Sequence, residues 1–474
     1  MRTLMTLCLL LAPAAIAGKR ASKSAPKPPA EEMADTAAVV VGRSLAGRAT
    51  TWQKMQELCD GIGHRLTGTP ALERAVEWAA QRMAEDGLDV RKEPVPVDQW
   101  VRGQEALRLL GDNPRALPVL GLGNGVGTPP EGVEADVVVV SDFDALQALG
   151  DQVKGKIVLF NAPFTTYGET VAYRVRGPSK AAAQGAIAAL VRSVTPKSLA
   201  TPHTGTLYYD PDHPQIPAAA VDLETASQFQ RMQDRGLTPR VSLMLEAKMG
   251  EPKESHNVVG EIKGRSLPDE IVVVSCHLDT WDVGQGAQDD GAGCVAAMEA
   301  GRVIASLDRA PKRTIRVVLY TNEENGLAGG RTYAEAHKDE THVAALEMDT
   351  GAGEFLGYRV EARTSGEPEA DTAENARIRE AFGPVMPLFT SVDAQLIEGF
   401  SGSDVRPLVN TGVLGFGLHM DTTHYWPIHH TEADTLDKID RGHLQDNVAG
   451  MALLTWVLAE WEDLPQVRTT AAKP

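Results

Sequence analysis

Five short segments of this 474-residue chain carry side chains suited to holding cations and moving protons. Ser275-Cys276-His277-Leu278-Asp279 sets an imidazole two residues before a carboxylate. GAQDDGAG at 286–293 carries Asp289 and Asp290, and YTNEENG at 320–326 carries Glu323 and Glu324. LEMDTG at 346–351 supplies Asp349, and WPIHHTEADT at 426–435 supplies His429 and His430. Imidazole nitrogens and carboxylate oxygens are the donors Zn²⁺ accepts while keeping a position open for water. Two zinc ions about 3.5–4 Å apart can share one carboxylate and one water. The expected arrangement gives His277 and Glu324 to a first ion and Asp349 and His430 to a second, with Asp289 spanning both. Glu323 cannot easily point at the same ion as its neighbour, so it is free to serve as general base. Asp279, on an extended strand end, is expected to bond the second nitrogen of His277 and fix its tautomer.

Each segment alone is ordinary. Glu-Glu after a strand is often the first turn of a solvated helix, favoured by the dipole. Asp-Asp-Gly is often a turn or a cap. Their common position is what distinguishes them. Apolar strands are predicted at 271–276, 314–320, 343–348 and 413–418, with helices at 291–307, 326–338, 372–382 and 443–462. Near-continuous apolar strands alternating with helices imply an α/β fold, a mostly parallel mixed sheet with helices on both faces. Ligands in such sheets gather at the carboxyl ends of strands, where His277, Glu323, Glu324 and Asp349 all fall.

Residues 37–96 show helical spacing interrupted by Gly61, Gly63 and Gly68, with a strand-like stretch at 89–101. From 105 to 250 the texture changes. Strands are predicted at 135–140 and 156–160, an alanine-rich helix at 179–193, and a strand followed by a helix over 216–229. This stretch shows no charged constellation suited to catalysis and is read as an inserted domain. The catalytic domain then comprises 37–104 and 251–474.

Arg2 precedes an apolar run from Leu4 to Ile16 that ends in Ala15-Ile16-Ala17. It is too short for a comfortable membrane span and reads as a signal peptide, residues 1–17, cleaved before Gly18. Residues 18–36 read as a flexible leader. The expected location is therefore secreted or periplasmic. A formal net charge of -18 argues against nucleic-acid or anionic-lipid partners. Cys59, Cys276 and Cys294 remain after cleavage, too few for a disulfide framework, and at most one pair could bridge.

Other motifs fail. H-E-x-x-H and G-x-S-x-G are absent. GDQVKGKI at 150–157 puts Ile157 where a phosphate loop needs Ser or Thr. HLDTWDVGQGAQDDGAG (277–293), PKRTIRVVLYTNEENGLAGG (311–330) and LCDGIGHRLTGTPALERAVEWA (58–79) resemble the co-catalytic zinc peptidases of the aminopeptidase and glutamate carboxypeptidase type. That resemblance implies two zinc ions per chain and an inserted protease-associated domain at 105–250. It further implies a cis bond between Asp289 and Asp290, and His430 rather than His429 as the last ligand, four positions before Asp434. The implied activity is hydrolysis of dipeptides or short peptides. Free-amino against free-carboxyl specificity and a homodimer are left open. So are a glutaminyl cyclase-like or a receptor-like member of the fold. A second co-catalytic family inserts a dimerisation domain between its last acid and last His; here the 81 positions from Asp349 to His430 are already filled by sheet and helix.

Overall fold

The computed structural model describes residues 28–197, 199–364 and 368–469. The expected signal peptide and the leader up to residue 27 lie outside them. The rest of the expected leader is not flexible: a helix spans Pro29–Ala46, opened by proline at its start and by Glu31 and Glu32 in its first turn. It buries Met33, Ala37, Val40 and Val41, at helical spacing, in the main core. Among the described residues no helix is long and apolar enough to cross a membrane.

The larger sheet has eight strands. In spatial order they are Asp89–Val97, Lys253–Ile262, Arg313–Tyr320, Leu267–His277, Thr341–Glu347, Leu414–Met420, Phe355–Glu361 and Gln395–Glu398. The four central strands run parallel to one another. Alternation along one strand feeds two cores. Val272, Val274 and Cys276 face the helices Pro29–Ala46, Ala292–Ala305 and Arg441–Glu460. Ile271 and Val273 face Tyr333, Val405 and Leu408 on the opposite side. Both faces being covered explains why these strands read as unbroken apolar runs.

A second eight-stranded sheet carries the parallel strands Val133–Val140, Ile157–Phe160, Ala188–Arg192 and Ala218–Val221. The helix expected at 179–193 is replaced by a helix at Tyr167–Ala183 and a strand at Ala188–Arg192. Gly185, at φ 86°, turns the chain between them. The alanines of 186–191 are buried against neighbouring strands, and that packing overrides their helical propensity. The chain passes to and from this sheet through a two-stranded ribbon pairing Val101 with Lys248 and Trp100 with Met249.

Candidate metal centre

Three of the parallel strands end in the expected residues. His277 is the last residue of its strand, Asp349 lies two residues beyond Glu347, and Glu323 and Glu324 follow Tyr320 by three and four. Asp289 and Asp290 begin the turn that leads into the helix Ala292–Ala305, and the bond between them is cis. Gly293 keeps this turn close to the sheet: a Cβ there would lie 2.2 Å from the Met348 carbonyl and 2.3 Å from Asp290 Oδ1.

All five expected donors converge. His277 Nε2 lies 3.3 Å from Asp289 Oδ1 and 3.2 Å from Asp349 Oδ1. His430 Nε2 lies 3.2 Å from Asp289 Oδ2 and 3.2 Å from Glu324 Oε2. Two donor sets result, His277–Asp289–Asp349 and Asp289–Glu324–His430, each with its ligand atoms within 4.8 Å of one another. The expected pairing of His277 with Glu324 and of Asp349 with His430 is therefore corrected. The Nδ1 of His277 is tied to the Asp279 carbonyl at 3.0 Å, which leaves Nε2 facing Asp349. The donors are two imidazoles and three carboxylates without a thiolate, a set that fits zinc. Glu324 Oε1 is buried with no hydrogen-bond partner, as an oxygen meant for a cation would be.

The Asp279 carboxylate does not do what was expected of it. Its Oδ1 stands 3.9 Å from His277 Nδ1. It accepts instead from the amides of Glu323 at 3.0 Å and Glu324 at 3.4 Å and from the Thr67 hydroxyl at 2.9 Å. The main chain of Asp279 holds the His277 ring, and its side chain holds the Glu323–Glu324 turn.

Burial opposes charge on His277 and His430, yet the surrounding acids outweigh it and hold both imidazoles well above their ordinary value. For Glu323 burial acts in the other direction and pushes the carboxyl well above its usual range. Glu323 lines a cavity of about 490 Å³ together with Asp289, Glu324, Asp349 and His430. His429 lines the same cavity. Its Nδ1 meets the Trp426 carbonyl at 3.2 Å, its ring packs on Tyr425, and burial keeps it neutral.

Three supports were not legible in the sequence. Arg65, fully buried, donates to the carbonyls of Leu278, Gln285 and Gly286, fastening both flanks of the 279–284 loop. Asp434 accepts from the amides of Ala287, Gln288 and Asp289 at 3.1, 2.7 and 3.1 Å, and so sets the turn that presents Asp289. Only the spacing from His430 marked it. The third comes from the stretch thought to hold nothing for catalysis. The Thr204 carbonyl lies 3.2 Å from His430 Nδ1, and the Thr204 amide donates to the His430 carbonyl at 3.0 Å. Arg174 donates to the Thr204 and Thr206 carbonyls, both at 3.3 Å, and its Nη1 lies 3.4 Å from His430 Nδ1. The inserted domain thus orients a donor of the site.

A mostly parallel sheet with two His–carboxylate sets at its strand ends and adjoining loops suits a metal-dependent hydrolase. The comparisons agree. Residues 257–455 match the model of peptidase family M28, and residues 118–229 match the PA domain. Carboxypeptidase Q of Xenopus laevis is 38% identical over 434 residues, covering 91% of this chain and 90% of that one. The human carboxypeptidase Q is 36% identical over 435 residues, with the same coverage of 91% and 90%. The crystal structure of a peptidase M28 precursor from Shewanella amazonensis superposes with a TM-score of 0.85 at 33% identity, covering 94% of this chain and 99% of that one. A zinc aminopeptidase from Bacillus subtilis shares the fold, with a TM-score of 0.62 at 20% identity over 88% of this chain and 96% of that one. The chain belongs to peptidase family M28 and is a zinc metallopeptidase.

Proposed function

We propose that the protein is an exported dinuclear zinc exopeptidase acting on dipeptides or short peptides. One observation carries the dinuclear reading: the two oxygens of Asp289 face two different imidazoles, each of which has a second carboxylate of its own. His277, Asp289 and Asp349 would hold one ion, and Asp289, Glu324 and His430 the other. Bound zinc would supply a Lewis acid for the scissile carbonyl and an acidified water. Glu323 would take the proton from the attacking water and deliver it to the leaving amine, a role served by a carboxyl of raised proton affinity. Asp279 would keep Glu323 aimed through the amide of its turn.

The size and lining of the cavity support a short substrate. Tyr167, Arg174, Thr206 and Tyr208 of the inserted domain close one side. Arg174 and Arg359 both line it. Arg174 is already engaged by the Thr204 and Thr206 carbonyls and the Tyr167 hydroxyl, so Arg359 is the guanidinium that favours a substrate with a free carboxyl terminus over one read only at its amino end. The apolar run from Leu4 to Ile16 with its Ala15-Ile16-Ala17 end supports export, and mature protein recovered from the exported fraction should begin at Gly18. The activity is tested with unblocked dipeptides against N-blocked and C-amidated versions, with and without chelator. Turnover of unblocked dipeptides that chelator abolishes and zinc restores is the expected result. Equal turnover of C-amidated peptides would overturn the free-carboxyl reading.

A further inference from the structure

We propose that Cys276 and Cys294 are joined by a disulfide that cross-links the strand ending in His277 to the helix that follows Asp289–Asp290. The whole chain has four cysteines, and three lie among the described residues, all buried and all with free thiols in this structure. Two of these three meet. Cys276 Sγ and Cys294 Sγ are 2.6 Å apart, and both side chains are fully buried. The two thiols face each other in direct contact, within reach of the bond that draws disulfide sulfurs to about 2.0 Å. The two residues come from different elements, one in the strand Leu267–His277 and one in the helix Ala292–Ala305. Neither lines the catalytic cavity, so neither thiol is placed to act on substrate.

The position gives the bond a consequence. It closes the segment 277–293 into a loop, and that segment carries His277, Asp279 and Asp289. Cys294 Sγ also lies 3.0 Å from the His277 carbonyl, so the cross-link sits directly behind a metal donor. A closed loop restricts the unfolded chain and favours the native placement of its residues. Arg65 fastens the middle of the same segment through the Gln285 and Gly286 carbonyls. The disulfide would fasten its two ends.

The chemistry is thiol–disulfide exchange. The Cys276 and Cys294 thiols lose two protons and two electrons, the Sγ–Sγ bond forms, and a small-molecule or protein disulfide is reduced to two thiols. Because both sulfurs are buried in the finished fold, the exchange belongs to folding in an oxidising compartment. The inference therefore leans on export, and the experiment separates the two. Cys59 is the competitor: a Cβ built on Gly291 would lie 3.6 Å from Cys59 Sγ, so a third thiol stands near the start of the same helix.

The full chain is prepared from the exported fraction without reductant, and separately refolded in a buffer of oxidised and reduced glutathione. Each sample is denatured in the presence of an alkylating agent, digested and mapped by mass. The expected result in both samples is one cross-linked peptide pair containing Cys276 and Cys294, with Cys59 alkylated. Free, alkylated Cys276 and Cys294 in both samples would overturn the proposal, as would a Cys59–Cys294 link. A cross-link in the refolded sample alone would uphold the disulfide and count against export. Cys276→Ala, Cys294→Ala and the double variant supply a second readout. With a shared bond, the double variant melts no lower than the worse single variant, and reductant lowers the melting temperature of the wild type alone. Additive losses with no effect of reductant on the wild type would show two independent thiols.

Discussion

Replacing Asp434 by Asn should loosen the metal centre without touching a metal donor. Its carboxylate accepts three amides at once, Ala287 and Gln288 on Oδ1 and Asp289 on Oδ2. An asparagine can keep two of them on its single oxygen. Its NH₂ group then faces the Asp289 N–H, donor against donor. A hydrogen bond to a charged group contributes about 1.5–3 kcal/mol and a neutral one about 0.5–1.5. Losing one bond and weakening two puts the cost at about 2–4 kcal/mol. Part of it appears as lost stability of the metal-free protein and part as misplacement of Asp289, where the two donor sets meet. Replacement of a group that orients a ligand typically lowers metal affinity 10–100-fold. The assay is a competition titration of zinc against a chromogenic chelator for Asp434→Asn and wild type. It is run at pH 8, above the value of about 7 to which burial pushes this carboxyl, so that the wild type carries the full charge. Unchanged zinc affinity, with only a lower melting temperature, would refute the claim that Asp434 positions Asp289 for metal.

Glu323→Gln should lower kcat by roughly 10²–10⁴-fold at unchanged zinc content, measured by dipeptide turnover and elemental analysis; loss of zinc would make Glu323 a ligand instead. Removal of residues 102–247 with a short linker should lower zinc content as well as activity, because the Thr204 carbonyl that holds His430 Nδ1 leaves with them. A folded deletion variant with full zinc would return the insert to the part of a mere wall. Arg359→Met should raise KM for unblocked dipeptides and leave C-amidated peptides unaffected, as steady-state kinetics on paired substrates would register. An equal rise for both would place Arg359 in the scaffold.

The residue types of the site could be read because His277, Glu323, Glu324 and Asp349 follow strand ends, where short apolar runs stop and acids or imidazoles begin, and because Asp289 and His430 fall in the turn and loop that complete the set. Their partners could not. The strand of His277 lies between those preceding Glu324 and Asp349, so strand order alone does not decide which acid its ring faces. That choice rests on the Asp279 carbonyl, which no side-chain pattern encodes. Arg65 and Thr204 meet the centre from 213 and 226 positions away in the chain and carry no local signal. Among the elements, the strand at Ala188–Arg192 was mistaken for helix because alanine propensity outweighs burial when only sequence is in view. The helix at Pro29–Ala46 was shortened because Lys, Ala and Pro before it resemble a linker. Its true start is marked by Pro29 and the glutamates that follow.

The central claim is that one carboxylate, Asp289, serves two ions. Zinc-free protein titrated with zinc, followed by dipeptide turnover and by elemental analysis after removal of free metal, tests it most directly. The account predicts activity rising to a plateau at about two zinc equivalents per chain, with Asp289→Asn losing both. A plateau at one equivalent, with no second ion retained at full activity, would contradict it.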